Sequence, residues 1–350
     1  MAIRKFTVSR DDSIYEAWPD VTLTSSGKLI CVFTECERHG NRDLSRLTLT
    51  ESTDRGRTWS AKHYLTDRGT KNEYFNCARI STLPDGRLAI LCDKSYGSEA
   101  PGNRTEVYAW FSADEGETWS APILVPGHGY VPDKYRVLST GRHLISIHDF
   151  GASGKREQYL WYSDDGGKTW SEQITAAADE RYDLCEGCIL ETKDGALVCF
   201  LRENSGRGID CLKTISRDGG ETWSAVYPVP IPACHRPVAG YLRDGSVLLT
   251  HRFLQGGKGW LGSWTQNVFA AILHGDQLLE TERRAQSARI LPLDFDRSPV
   301  SDLGYTGWVQ FPDGEIYVVN YIVDDAPKAQ IRGYSLSAED FLLPQPETKN

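Results

Sequence analysis

The stretch Ser52-Thr53-Asp54-Arg55-Gly56-Arg57-Thr58-Trp59 decides the fold, because its pattern Ser-x-Asp-x-Gly-x-Thr-Trp returns three times. The copies are Ser112–Trp119, Ser163–Trp170 and Ser216–Trp223, and successive Trp residues lie 60, 51 and 53 residues apart. One four-stranded sheet with its turns occupies a period of this kind. Asp and Ser can bond to nearby backbone, Gly permits positive φ, and Trp can fill the join between sheets. The pattern therefore predicts a repeat array in which these stretches are structural.

A second repeat fixes the number of units. Six short hydrophobic runs break at a turn Gly and then resume, and the spacings between these Gly residues are 59, 55, 54, 50 and 69. The turn residues are Gly27, Gly86, Gly141, Gly195, Gly245 and Gly314. Asp-Gly between β-patterned runs is a strong hairpin signal. We therefore predict an all-β protein, a six-bladed β-propeller of four-stranded antiparallel blades that forms a single domain over residues 1–350.

The start of the chain is expected to close this ring. Arg4–Val8 has a strand-like pattern and precedes the first blade. A propeller usually closes when one terminus completes the sheet of the other, which leaves few free edges. Arg4–Val8 is therefore expected to supply the outer strand of the sixth blade, beyond Ile331–Ser335.

Composition narrows the possible partners. The chain has 39 Lys and Arg against 48 Asp and Glu, a net charge of −9, which disfavours nucleic acid and anionic membranes. The start lacks the apolar core of a signal peptide, and no run approaches the ~20 apolar residues that span a bilayer. Nine Cys, an odd number, suit buried free thiols and a cytoplasmic location. No phosphate loop, zinc spacing or nucleotide fingerprint occurs, so no cofactor is assigned, and the oligomeric state stays open.

Aligning the blades on their turn Gly places ionisable and aromatic side chains at equivalent heights. Equivalent positions around a propeller axis face one mouth, where charge requires either water or a ligand. The mixture of acids, Arg and Tyr favours a binding site over a solvated funnel. On the first strand of each blade these side chains include Trp18, Asp20, Arg79, Lys134, Glu186, Arg236 and Tyr305. On the second strand they are Glu35, Asp93, His148, Asp149, Arg202, Arg252 and Tyr321.

Two further residues are candidates because of where they stand. His235, next to Arg236, is either a general base or a histidine that only bonds to its neighbours. Asp43 lies in a Gly-containing loop that returns over the same end of the first blade as Glu35, and it is either catalytic or simply solvated.

These repeats and two sharper segments resemble the sialidases (neuraminidases), whose six-bladed propellers carry Asp-box repeats. Glu186-x7-Asp194-Gly195-x6-Arg202 is similar to the segment in which a Glu faces the nucleophile and an Arg grips the sugar carboxylate. Gly304-Tyr305-Thr-Gly-Trp308, followed by Asp313-Gly314, is similar to the segment that carries the family's nucleophilic Tyr.

The resemblance implies a role for each of these residues. Tyr305 would attack the anomeric carbon, Glu186 would be its base and Asp43 the acid/base at the leaving oxygen. A neutral Tyr oxygen suits an anomeric centre that bears a carboxylate, because a carboxylate nucleophile would be repelled. Arg202, together with Arg252 or Arg236, would hold an acidic group.

One part of the family pattern is missing. Where sialidases open with an Arg-Ile-Pro-like motif that supplies the first of three carboxylate-binding Arg residues, this chain has Ala17-Trp18-Pro19-Asp20. Arg79, from the next blade, is a candidate replacement.

The leading hypothesis is a glycoside hydrolase of sialidase type that removes a terminal acidic sugar, such as a sialic acid-like sugar, from a small glycan. Two alternatives stay open. One is a polysaccharide lyase that uses Tyr305 or His235 as its base on a uronate, and the other is a non-catalytic glycan-binding propeller.

Overall fold

The structure is a computed structural model that describes residues 3–42, 44–97, 104–255 and 265–342. Within them the chain forms six antiparallel sheets that follow one another along the sequence as blades 1 to 6. The predicted six-bladed propeller of four-stranded blades is confirmed.

Each blade is built from consecutive strands. Blade 1 contains β2 (Tyr15–Leu23), β3 (Leu29–Cys36), β4 (Arg46–Ser52) and β5 (His63–Tyr64). Blade 2 contains β6 (Tyr74–Phe75), β7 (Arg79–Thr82), β8 (Leu88–Ser95), β9 (Thr105–Ser112) and β10 (Ile123–Val125), and both β6 and β7 pair with β8. Blade 3 contains β11 (Arg136–Val137), β12 (His143–Phe150), β13 (Arg156–Ser163) and β14 (Ile174–Ala177).

The second half of the ring follows the same plan. Blade 4 contains β15 (Leu184–Glu191), β16 (Leu197–Glu203), β17 (Asp210–Ser216) and β18 (Tyr227–Pro232). Blade 5 contains β19 (Cys234–Tyr241), β20 (Val247–Gln255), β21 (Thr265–Leu273) and β22 (Ala288–Phe295). Blade 6 contains β23 (Leu303–Gln310), β24 (Ile316–Ile322), β25 (Gln330–Leu336) and the N-terminal β1 (Arg4–Ser9). Short 3₁₀ turns lie at Gly275–Gln277, Arg283–Ala285 and Ala338–Phe341.

The six turn glycines connect the first strand of each blade to the second. All six have φ between 80° and 95°, a region that favours Gly. In each turn the Gly N–H donates to the carbonyl three residues earlier, as Gly86 does to Leu83 at 2.9 Å. The Gly spacing in the sequence therefore marks the tight hairpins correctly.

The core is divided among the joins between blades. The described residues form six buried hydrophobic clusters, each shared by two neighbouring blades. Contacts of β2 with β23 close the ring between blades 1 and 6, and contacts of β2 with β7 join blade 1 to blade 2. Because each cluster needs both of its blades, the ring buries its core only when it is complete.

The four Ser-x-Asp stretches form turns between the third and fourth strands of blades 1 to 4. In the first, Asp54 Oδ1 accepts the backbone N–H of Thr58 at 2.9 Å, and Ser52 Oγ accepts that of Gly56 at 2.8 Å. Trp59 Nε1 donates to the Gly56 carbonyl at 3.2 Å, and its ring lies 6.2 Å from that of Tyr317 in blade 6. The bonds within these turns give the residues a structural role.

The N-terminal strand completes blade 6 beside β25. Phe6 pairs with Gly333, and Arg4 pairs with Ser335. The edge of β25 is thereby covered by a strand from the opposite end of the chain. Among the residues that the structure describes, no helix has the length and apolar character needed to cross a membrane.

Candidate active site

The first strands of several blades are interrupted in the same way near the propeller axis. The pairing register shifts at Cys185/Cys188 in β15, at His235/Val238 in β19 and at Leu303/Thr306 in β23. Each break contains a residue with positive φ: Glu186 at 51°, Arg236 at 52° and Gly304 at 111°. A β-bulge leaves one residue out of the ladder and re-aims its side chain. The bulges therefore direct Glu186, Arg236 and Tyr305 toward one another.

Tyr305 and Glu186 form the centre of the site. The Tyr305 hydroxyl donates a hydrogen bond to Glu186 Oε1, although the two residues are 119 positions apart in the sequence. Arg202 Nη1 donates to the same oxygen at 2.7 Å. The Glu186 backbone N–H, released from the ladder, donates to His148 Nδ1 at 3.2 Å. A phenol, a carboxylate and a guanidinium are thus locked in one hydrogen-bonded unit.

Charge sets the protonation of this unit. Burial alone would raise the pKa of Glu186, but the positive charges of Arg202, Arg252 and Arg236 lower it well below its usual value. Burial, followed by the charge of Glu186, raises the pKa of Tyr305 well above its usual value. The resting pair is therefore a neutral phenol that donates to an ionised carboxylate.

Two more arginines flank the Tyr305 ring. The guanidinium carbon of Arg252 lies 5.5 Å from the ring centroid, and that of Arg236 lies 5.7 Å from it. Arg236 Nη2 is bonded to the Pro132 carbonyl at 2.8 Å. Three arginines from blades 4 and 5 therefore surround one carboxylate, an excess of positive charge.

Several nitrogens of these arginines have no partner. Nε of Arg202, Nε of Arg252, and Nε and Nη1 of Arg236 are buried and donate to no acceptor among the described residues. An unpaired buried donor costs free energy, which an incoming acceptor recovers. Beside Arg202 lies a cavity of about 340 Å³ that is also lined by His148, Glu186 and their neighbours. The cluster is thus suited to an anionic ligand of small size.

Trp18 lies in the stretch Ala17-Trp18-Pro19-Asp20, from which the Arg is missing, and it is covered. Its indole is only 2% exposed, and the guanidinium carbon of Arg42 lies 3.5 Å from its ring centroid. The ring of His39 meets the indole edge-on at 5.3 Å, and Tyr321 lies 6.1 Å away. Trp18 therefore acts as a platform in this structure and not as an exposed contact.

Arg79 and Asp20, both predicted to bind substrate, are engaged with each other and with the backbone of neighbouring blades. Asp20 lies 3.3 Å from Arg79 Nε and 3.1 Å from Lys134 Nζ, and it accepts the Ile80 N–H at 2.9 Å. Arg79 Nη1 donates to the Thr306 carbonyl at 2.9 Å. Asp20 thus links blade 1 to blades 2 and 3. It also binds the guanidinium of Arg79, the candidate replacement for the missing Arg.

His235, the candidate general base beside Arg236, is buried among the arginines of the site. Burial, together with the positive charges of Arg202 and Arg252, lowers the pKa of His235 to about 2. The imidazole is therefore neutral near pH 7. Its role as a base stays a prediction.

Some residues of the predicted mouth lie elsewhere, and others were not foreseen. Glu35 bonds to Arg46 at 2.8 Å and Lys62 at 2.6 Å within its own blade, away from Tyr305. Asp43 lies outside the described residues.

One residue of the site was not predicted from the sequence. Asn204 accepts a hydrogen bond from Arg202 and lies two residues after Arg202 in the chain. It was missed because a lone Asn carries no motif.

Gly304 is the residue whose backbone brings Tyr305 against Arg252. A Cβ at position 304 would lie 2.4 Å from Arg252 Cβ, and φ is 111°. Gly304→Ala is therefore expected to lower the free energy of unfolding. The loss should be roughly 1–3 kcal/mol larger than the loss from a Gly→Ala substitution in a turn where φ is also positive. Urea unfolding measures the difference.

The matched control for this prediction is Gly141→Ala. Gly141 also has positive φ, but a Cβ there would meet nothing within 4 Å. Equal losses for the two variants would show that close packing against Arg252 does not constrain the backbone of Tyr305.

Comparison with known families identifies the repeat. The sequence model described as "BNR repeat-like domain" matches residues 27–261, which is more than half of the chain. The chain belongs to the BNR repeat-like family. Curated relatives of this BNR repeat-like protein include a sialidase from Paraclostridium sordellii, 24% identical over 225 residues, which are 55% of this chain and 55% of the relative. A sialidase from Clostridium perfringens is 25% identical over 217 residues, 52% of this chain and 56% of the relative.

Solved structures agree with this assignment at the level of fold. A protein of unknown function from Dyadobacter fermentans superposes with a TM-score of 0.77 at 23% identity, over 96% of this chain and 99% of that one. The Hadza microbial sialidase Hz136 superposes with a TM-score of 0.72 at 16% identity, over 97% and 69%. The BNR repeat-like protein spans about half the length of the curated sialidases it matches. It shares the propeller fold of the Hadza microbial sialidase.

Proposed function

We propose that this protein is a glycoside hydrolase of sialidase type that removes a terminal acidic sugar from a small glycan. The observation that carries the proposal is the hydrogen bond from Tyr305 to Glu186 at the centre of three arginines with unpaired donors. The relatives named sialidase support the reaction class. The cytoplasmic location remains a prediction from the cysteine content.

The first step forms a bond between Tyr305 Oη and the anomeric carbon. The raised pKa keeps the phenol protonated until that bond develops, and the oxygen then becomes acidic enough to release its proton. Glu186 Oε1, already the acceptor of that proton, takes it. The bond from the anomeric carbon to the leaving oxygen breaks, and we assign protonation of that oxygen to Asp43.

The second step reverses these roles. Water attacks the anomeric carbon of the glycosyl-tyrosine, Asp43 accepts a proton from the water, and Glu186 returns its proton to Tyr305 Oη. Two displacements on opposite faces of the sugar give net retention of configuration.

The three arginines set the preference for an acidic sugar. A carboxylate on the anomeric carbon would accept from the unpaired nitrogens of Arg236 and Arg252, because charge-assisted bonds to guanidinium are short and strong. Such a carboxylate would also explain a phenol as nucleophile, since a second carboxylate would be repelled.

The test uses matched aryl glycosides with a fluorescent phenol as leaving group. We expect release from an α-sialoside or a glucuronide and none from the neutral galactoside, with the first-formed product retaining its configuration by NMR. An unsaturated product that absorbs in the ultraviolet would instead establish a lyase. Binding of these glycosides without any release would establish a glycan-binding propeller.

A further inference from the structure

Arg42 is an unassigned cation at the edge of the site. Its guanidinium carbon lies 3.5 Å from the centroid of Trp18, and its Nη1 is buried without a hydrogen-bond partner in the part of the chain that the structure describes. Stacking on an indole is a favourable geometry for a guanidinium, and it leaves the in-plane N–H groups available to an acceptor.

The segment that carries Arg42 is fastened to a neighbouring blade. His39 Nδ1 lies 2.6 Å from Asp302 Oδ2 in the segment that leads into β23. Lys328 Nζ, also in blade 6, donates to the Glu37 carbonyl at 2.8 Å. Arg38 and Asn41 exchange backbone hydrogen bonds of 3.3 and 3.0 Å, which close the turn before Arg42. The Arg42 side chain is therefore held in place before any ligand arrives.

Arg42 faces the same interior as the arginines of blade 5. Trp18, on which Arg42 stacks, and Tyr305, which Arg236 flanks, belong to one buried cluster that also contains Cys77. Tyr321 connects the two sides of the site, because its ring lies 6.1 Å from that of Trp18 and 6.3 Å from that of Tyr305. Arg42 and Arg236 thus approach one buried point from blades 1 and 5.

We propose that Arg42, stacked on Trp18, is a substrate-binding residue that supplies the anion-binding cation missing from the stretch Ala17-Trp18-Pro19-Asp20. The proposal rests on the proposed function, since it assumes a sugar with a carboxylate. The cation comes from the loop after β3, and Trp18 serves as its platform.

The test compares sugars that differ only in charge. N-acetylneuraminic acid and galacturonic acid are each titrated beside their methyl esters by calorimetry, with wild-type protein and with Arg42→Met, which keeps an apolar chain over Trp18. We expect wild-type protein to prefer at least one acid over its ester and Arg42→Met to lose about 10- to 100-fold in Kd for that acid alone. Arg42→Lys should recover part of the loss, because it retains the charge.

Arg142→Met is the matched control. Arg142 stacks on Tyr162 at 3.8 Å beside the hairpin turn at Gly141, and its loss should change stability without changing Kd for any of the sugars. Two results with Arg42→Met would overturn the proposal and leave hydrolysis by Tyr305 intact. In one, the variant keeps the wild-type preference for the acid within twofold. In the other, the variant binds the acid and its ester equally more weakly than wild-type protein does. Wild-type protein that prefers neither acid would overturn it together with the acidic substrate.

Discussion

Tyr305→Phe is expected to lower turnover by at least ~1,000-fold, because the substitution removes the oxygen that would form the bond to the anomeric carbon. The ring, its flanking arginines and the bulge at Gly304 remain. KM should change little, since the hydroxyl takes part in the reaction and the arginines, which remain, bind the acidic group of the substrate. Single-turnover and steady-state kinetics on the best aryl glycoside measure the loss.

Tyr321→Phe is the control for this prediction. Tyr321 is fully buried, its ring lies 6.3 Å from that of Tyr305, and its hydroxyl also donates to a carboxylate, Asp302, at 2.9 Å. Tyr305, by contrast, is 8% exposed. The Tyr321 variant should lose stability but retain turnover within about tenfold, as expected for a group outside the reaction. Similar losses of turnover in both variants would contradict the assignment of Tyr305 as nucleophile.

Glu186→Gln is expected to have a large effect on both activity and stability. Removal of a catalytic base typically costs about 10²–10⁴-fold in turnover. The same change leaves Arg202, Arg236 and Arg252 without their counter-charge, and loss of one partner of a buried ion pair costs about 3–5 kcal/mol. Both numbers can be measured on one preparation, by kinetics and by urea unfolding.

Glu186→Asp separates the two effects of this substitution. It keeps the negative charge but withdraws it by one methylene, so stability should largely return while turnover stays low. Glu191→Gln is the control on the same strand, because Glu191 bonds to Ser139 at the other end of β15. A Glu186→Gln variant with wild-type turnover would remove Glu186 from the mechanism.

The stability difference between wild type and Glu186→Gln has a defined dependence on pH. The folded-state pKa of Glu186 lies below its unfolded value of about 4.3. The carboxylate therefore contributes fully above that value, and its contribution is lost as pH falls toward the folded pKa. The difference should stay constant from about pH 8 to 5 and narrow below about pH 4. Narrowing already between pH 8 and 6 would mean that Glu186 takes up a proton near neutrality.

The repeat signals were sufficient for the architecture. Each turn Gly reports a local backbone requirement, and the spacing from Gly27 to Gly314 counts the blades. The same alignment brought Glu186, Arg202, Arg236, Arg252 and Tyr305 to one end of the axis, because residues at equivalent heights on successive first and second strands face the same mouth.

The alignment could not say which charges are already engaged with other residues. Asp20 and Arg79 occupy the expected heights, yet they bind each other and the backbone of neighbouring blades. His235 stands next to Arg236, but its buried position among positive charges weakens it as a base. Such pairings depend on which side chains meet across a join, and the spacing along the chain does not contain that information.

By itself the sequence determined the blade count, the hairpins and the face of the ring on which the reactive groups gather, since these follow from local conformational preferences repeated at a fixed period. Only the tertiary structure decided that Tyr305 donates to Glu186 and that Arg42 lies on Trp18. The physical reason is that bulges in different blades re-aim single side chains, and closure of the ring then brings together residues more than a hundred positions apart.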